Sequence, residues 1–280
     1  MIHLYLYDYG EYSGVKSLTE DKLVAVHPLS DHMKKLFKPA RYHAFVDEIG
    51  ITGMVSREQS DAIKRHSYRI GYYDYPFYRR SLKHNIMIND LDEIWVYTDR
   101  CKEQLKGVCD KKIRVVGNVG HSRLTKGKSP MPTKEGYNLW IGQHGFLYET
   151  TFKSFIESLG GAPEDLLVLP HPTKDGSFEE SFGAKTVKDV ELGRLIRNAK
   201  AVYTWESTAI MAAHIHGIPT VCYEVDKDDH DNVFLKNGVA YEATEPTIKM
   251  LYNSGLEPLD VKCGVPENPE KTIKEVLYCL

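Results

Sequence analysis

The sequence is poor in cysteine. Five stand among 280 residues (Cys101, Cys109, Cys222, Cys263 and Cys279), an odd number with no C-x-x-C spacing. That pattern argues against a disulfide framework or a thiolate zinc site and leads us to expect reduced thiols in a cytoplasmic protein. Long apolar runs are also missing. No stretch approaches about 18 uninterrupted apolar residues, and no charged-then-apolar leader precedes Asp8, so neither a membrane span nor a secretory signal is expected. The sequence has no G-x-S-x-G elbow, no G-x-G-x-x-G loop and no P-loop lysine, which removes three common signatures of catalysis and phosphate binding. Internal repeats and low-complexity tracts are absent. The histidines are scattered; only His214 and His216 are close, and a two-residue step puts them on different faces of a helix, so no metal site is expected.

What remains is ordinary globular material, 42% hydrophobic and 27% charged. A chain of this length buries roughly 70–75% of its unfolded surface, enough for one large core or two smaller ones. The net charge of −3 hides an asymmetry. Residues 57–128 carry 16 Lys and Arg against 9 Asp and Glu, and the rest of the chain is correspondingly acidic. Such a split suggests one positive face and an anionic partner.

Short β-type runs alternate with helical spacing along the chain. Met1–Tyr7, Val24–Val26, Ala44–Val46, Tyr68–Tyr73, Glu93–Tyr97 and Lys112–Val116 read as strands, and Ser56–His66 and Thr98–Lys106 as helices. After Val116 the composition changes. Gly120 to Gly136 is rich in Ser, Thr, Lys, Gly and Pro, as a linker would be. A second series follows: strands over Tyr137–Ile141, Leu166–Leu169, Ala201–Thr204 and Thr220–Tyr223, and helices over Thr150–Leu159, Val190–Asn198 and Ser207–His216. The expected architecture is α/β, with two Rossmann-like domains facing each other across a cleft. Their bounds are 1–119 and 137–265, joined by a linker at 120–136, with a terminal helix at 266–280 packing back on the first domain.

In open α/β sheets ligands bind outside the carboxyl ends of the strands. Four segments fall there. Thr204-Trp205-Glu206-Ser207-Thr208 spans a strand-to-helix junction, where exposed N–H groups and two hydroxyls suit a diphosphate and Glu206 a ribose diol; a plain N-cap is the simpler alternative. His171, between Pro170 and Pro172, is aimed at the end of its strand. Gly142-Gln143-His144-Gly145 allows a ligand close to the backbone, or is only a tight turn. Tyr72-Tyr73-Asp74-Tyr75-Pro76-Phe77-Tyr78-Arg79-Arg80 places a carboxylate after a strand among aromatic and basic residues. Asp74 there could serve as general base, with Asp8 and Glu11 as rivals. Tyr73, Tyr75, Tyr78, Arg79 and Arg80, with Glu11 at a second edge, could line an acceptor site and would suit a nucleic acid.

These pieces resemble the two-domain glycosyltransferases of GT-B type. The Thr204–Thr208 junction with His216-Gly217-Ile218-Pro219-Thr220-Val221 resembles their donor-binding segment, and Pro170-His171-Pro172 is similar to the His-Pro motif of some transferases that use cytidine nucleotides. The Glu-x7-Glu pair of many retaining members is absent; Thr204 and Ala212 stand at its two positions. In the first domain, YRIGYYDYPFYRRS, DEIWVYTDRCKEQL and KKIRVVGNVG resemble in order and spacing a stretch of the phage DNA glucosyltransferases.

That resemblance implies a nucleotide-sugar donor of UDP or CMP/CDP type held by Gly142, His144, His171, Trp205, Glu206, Ser207 and Thr208. It also implies inversion with Asp74 as general base and, as acceptor, 5-hydroxymethylcytosine in duplex DNA, in the cytoplasm of a phage's bacterial host. The base would be flipped out of the stack, and the basic 57–128 segment would meet phosphates. Three alternatives stand beside this expectation: transfer to a surface glycan or lipid-linked acceptor, epimerisation of a sugar nucleotide, and binding without catalysis. Turnover with no acceptor would single out the epimerase.

Overall fold

The computed structural model describes residues 2–6, 24–28, 69–73, 91–106, 110–119, 136–143, 147–188, 190, 192–205, 207, 209–223, 233–236, 238–261 and 264–278. The chain forms two compact units, Met1–Ser122 with Lys262–Leu280, and Arg123–Val261. The expected strand Ala44–Val46, the helix Ser56–His66 and nearly all of the 120–136 linker lie outside the described residues.

The first unit holds five parallel strands, β1 (Ile2–Leu6), β2 (Val24–Pro28), β3 (Arg69–Tyr73), β4 (Glu93–Val96) and β5 (Lys112–Val115), in the order β2-β1-β3-β4-β5. Strand β4 is buried along its whole length, as a central strand covered on both faces must be. Its first residue is a carboxylate. Glu93 takes a hydrogen bond from Trp95 Nε1 at 2.8 Å, an ion pair from Arg114 Nε, and a second from Lys112 Nζ at 3.3 Å. Helix α1 (Asp99–Leu105) follows β4, capped by Thr98, whose hydroxyl accepts the Cys101 N–H at 3.1 Å. The chain returns to this unit after residue 261. Asp99 N–H donates to Gly264 O at 3.1 Å, and Pro269 lies so near Gly117 that a Cβ on that glycine (φ +76°) would stand 2.6 Å from the proline ring. The returning segment therefore covers the carboxyl ends of β4 and β5.

The second unit holds six parallel strands: β6 (Tyr137–Ile141), β7 (Leu166–Leu169), β8 (Lys185–Thr186), β9 (Ala199–Trp205), β10 (Thr220–Tyr223) and β11 (Tyr241–Glu242), ordered β11-β10-β9-β6-β7-β8. Counted within the unit this is the 3-2-1-4-5-6 order of the Rossmann fold. Near-continuous apolar runs such as Leu166-Leu167-Val168-Leu169 fit a sheet buried on both faces. On one face Leu139, Ile141, Leu167 and Val202 pack against α4 (Leu192–Asn198) and α5 (Ala209–Ile215). On the other, Trp140, Val168, Tyr203 and Val221 meet Phe152, Phe155, Ile248 and Leu251 of α2 (Tyr148–Leu159) and α7 (Glu245–Ser254). Short helices α3 (Ser177–Glu180) and α6 (Val233–Lys236) complete the unit, and α8 (Pro269–Tyr278) ends the described chain in the first unit.

Several helix bounds differ from expectation, α1 by one residue at each end (Asp99–Leu105 instead of Thr98–Lys106). Helix α2 starts at Tyr148 instead of Thr150, α4 at Leu192 instead of Val190, and α5 spans Ala209–Ile215 instead of Ser207–His216. In the last case Ser207 stands outside the helix, and its Oγ accepts the Ala209 N–H at 3.2 Å. Among the described helices, none is long and apolar enough to cross a membrane.

Candidate functional site

The strand order of the second unit reverses between β6 and β9, and in a doubly wound sheet the crevice outside that point is the ligand site. The two strand ends are pinned together there. Thr204 Oγ1 donates to Ile141 O at 2.9 Å across the β6–β9 pair. Gly142 follows β6 and is tied to β7 by its N–H, which donates to Leu169 O at 2.7 Å. A side chain at this position has no room. A Cβ on Gly142 would lie 2.8 Å from His171 N, 3.0 Å from Leu169 O and 3.0 Å from Pro170 Cα, all backbone atoms. Gly142→Ala should therefore cost about 1–3 kcal/mol through forced backbone movement. Urea denaturation checks it, and parent-like stability would show that these strand ends part freely.

His171, partly exposed, sits against Gly142. Its Nδ1 accepts the Thr173 N–H at 3.3 Å and the Thr173 hydroxyl lies 2.8 Å away, while Lys174 N–H donates to His171 O at 2.8 Å. If Nδ1 accepts, the ring proton stands on Nε2, which is then a donor. Ser207 is 7% exposed and its hydroxyl caps Ala209, so the hydroxyl works as an N-cap and the turn's backbone is what a ligand would meet. Trp205 ends β9 and packs partly buried on the aromatic face.

Gly142, His171, Trp205 and Ser207 thus belong to one edge of one sheet, at the carboxyl ends of β6, β7 and β9. His144, Glu206 and Thr208 lie outside the described residues. So do Asp74, Glu11, Tyr75, Tyr78, Arg79 and Arg80 of the first unit; Tyr73 is placed only as the last residue of β3. One residue of this edge escaped the sequence reading as a site residue, Tyr223. Tyr223 ends β10 in register with Trp205, and only the strand order, not visible in the sequence, makes them neighbours.

No protein-family model matches the sequence, and no curated protein does. Solved structures match it along its whole length. The UDP-GlcNAc 2-epimerase of Methanocaldococcus jannaschii, in complex with UDP-GlcNAc and UDP, superposes with a TM-score of 0.62 at 13% identity, covering 99% of both chains. Staphylococcus aureus MnaA with UDP gives 0.68 at 9%, covering 99% of this chain and 96% of that one. The Neisseria meningitidis UDP-GlcNAc 2-epimerase bound to UDP-GlcNAc gives 0.60 at 10%, covering all of both. The fold is GT-B. It is α/β with two Rossmann-like domains, an architecture those epimerases share with glycosyltransferases.

This likeness overturns the DNA-glucosyltransferase expectation. Several of the solved structures that match along the whole chain are UDP-GlcNAc 2-epimerases, another is Anabaena Alr3699/HepE in complex with UDP and glucose, and none of those named is a phage DNA glucosyltransferase. The physical reason lies in what the three matching segments are. Their described parts are β3, β4 with α1, and β5, scaffold that any parallel α/β lobe must build, while 74–81 of the first segment lies outside the described residues. Glycosyl transfer to hydroxymethylated DNA, with its phage setting and DNA partner, falls with that match.

Proposed function

We propose that the protein is a sugar-nucleotide epimerase acting on a UDP-sugar. The observation that supports this reading above all is the whole-length likeness to several 2-epimerases whose structures hold UDP or UDP-GlcNAc. The switch-point edge of the second unit fits the same ligand. Backbone at Gly142, the His171 Nε2 donor and the turn at Ser207–Thr208 would grip the diphosphate, with Glu206 toward the ribose and His144 on the Gly142 loop.

Inversion at the ring carbon beside the anomeric centre takes a proton from one face of the sugar while the C–H electron pair expels UDP from the anomeric carbon, and returns a proton to the other face as UDP adds back. It therefore takes a base and an acid on opposite sides. In the first unit β1 and β3 are neighbours at a strand-order reversal, and the carboxyl ends of β4 and β5 are covered by the returning chain. Carboxylates following β1 (Asp8, Glu11) and β3 (Asp74) are the candidates for this pair, with Asp74 as the leading one.

The test is to incubate the protein with UDP-GlcNAc, UDP-glucose and CMP-sugars without any acceptor, then to resolve the nucleotide sugars by chromatography and mass. The expected result is a new UDP-sugar isomer of unchanged mass from UDP-GlcNAc. Binding without conversion under all conditions would reduce the protein to a nucleotide-sugar-binding module.

A further inference from the structure

Within the second unit, the described tyrosines and tryptophans satisfy their polar atoms with one consistent exception. Trp140 Nε1 donates to the Tyr148 hydroxyl at 3.2 Å, and that hydroxyl donates to the buried Glu179 at 2.5 Å. Tyr203 OH donates to Asn138 Oδ1 at 3.3 Å and Tyr137 OH to Leu195 O at 2.7 Å. Trp205 Nε1 and Tyr223 OH are buried and have no hydrogen-bond partner among the described residues. Satisfied buried polar groups are the rule, so two orphans side by side call for an explanation.

Their placement supplies one. Strands β9 and β10 are hydrogen-bonded neighbours, and Trp205 pairs with Tyr223 in register as the last residue of each. Both rings join the same aromatic cluster, with Tyr223 edge-on to Trp140 at 5.7 Å between centroids. They leave one face of the sheet at its carboxyl edge, about 4.8 Å apart along the backbone, beside the β6–β9 reversal. Each ring is only partly buried and stands at the carboxyl end of its strand. The indole N–H can only donate. Burial pushes the Tyr223 phenol above its usual range, which keeps it protonated and able to donate. Two neutral donors suit an acceptor-rich group.

We propose that Trp205 and Tyr223 form a donor pair for a phosphoryl oxygen of the bound nucleotide. The proposal rests on the reading of the chain as a nucleotide-sugar enzyme and adds the two side chains that hold its diphosphate. Neutral donors grip an oxyanion without the salt sensitivity of Lys or Arg.

The test uses Trp205→Phe and Tyr223→Phe in the full chain, each removing one donor while keeping an aromatic ring. Calorimetric titration with UDP and with UDP-GlcNAc should show both variants weakened about tenfold or more for both ligands. Removing an unpartnered buried donor forfeits no hydrogen bond, so Tyr223→Phe, which loses only a hydroxyl, should unfold no lower than the parent without ligand; Trp205→Phe also gives up ring area in the aromatic cluster and is read by affinity alone. Parent-like UDP affinity in both variants overturns the proposal. So does a loss confined to UDP-GlcNAc, which would put the contact on the sugar, and so does a lowered unfolding temperature in Tyr223→Phe, which would make its hydroxyl structural. A parent protein that binds neither UDP nor UDP-GlcNAc would overturn the proposed function and this assignment together, a result distinct from the other three.

Discussion

Asp74→Asn should lower acceptor-free turnover of UDP-GlcNAc about 10²–10⁴-fold, the usual range for loss of a general acid or base. At 1.36 kcal/mol per tenfold, that is roughly 3–5 kcal/mol of barrier. The substitution keeps the size and shape of the side chain and removes only its capacity to take or give a proton. Affinity for UDP should stay within about twofold, because the nucleotide is assigned to the other unit. The expectation follows from position. Tyr73 ends β3, and β3 lies beside β1 at a reversal of strand order, where ligands of such sheets bind. Asp8→Asn and Glu11→Gln serve as companions, since a two-faced proton transfer needs a second group. Full activity in Asp74→Asn, with folding intact, would remove Asp74 from the chemistry and turn attention to the β1 carboxylates.

Glu93→Ala should destabilise the first unit by about 3–5 kcal/mol, the cost of breaking a buried ion pair by removing one partner. Glu93 is fully buried, whereas Arg114 is 29% exposed and Lys112 55% exposed. The Arg114 pair therefore carries most of the effect; the Lys112 pair, largely in solvent, contributes at most about 1 kcal/mol. The Trp95 indole N–H would also lose its acceptor. Because the chain has two units, a single global midpoint is a poor readout. Hydrogen exchange read by mass spectrometry is local. Faster exchange in peptides over 91–106 and 110–119, with peptides over 137–169 unchanged, is the expected pattern. Glu93→Gln, which keeps an acceptor for Trp95, should fall between parent and Ala. Equal exchange in all three proteins would show that the cluster is replaced by water at little cost.

Much of the scaffold was legible because parallel strands buried on both faces announce themselves. Leu166–Leu169 and Thr220–Tyr223 were read to the residue, and Glu93–Tyr97 to within one. Helix α7 was missed, although Thr244 accepts the Thr247 N–H at 3.2 Å as N-cap and Pro246 stands in the first turn. Its signal was weak, since only Ile248 and Leu251 are buried and the helix is held in part by Tyr252 donating to Asp165, a tie between residues 87 apart. The site divides in the same way. Gly142, His171 and Ser207 could be found one at a time, as residues following predicted strands. That they share an edge depends on the order β10-β9-β6-β7, which no local pattern encodes. The acceptor reading went wrong for a related reason. Segments that build a parallel lobe look alike whatever the lobe binds, so their match carried fold and not chemistry.

Proton NMR of UDP-GlcNAc incubated with the protein alone tests the central claim most directly. Epimerisation predicts a second anomeric resonance that grows to a fixed ratio while the summed nucleotide-sugar signal stays constant, with no acceptor present. An unchanged spectrum, or conversion that begins only when an acceptor such as hydroxymethylated DNA is added, would contradict it.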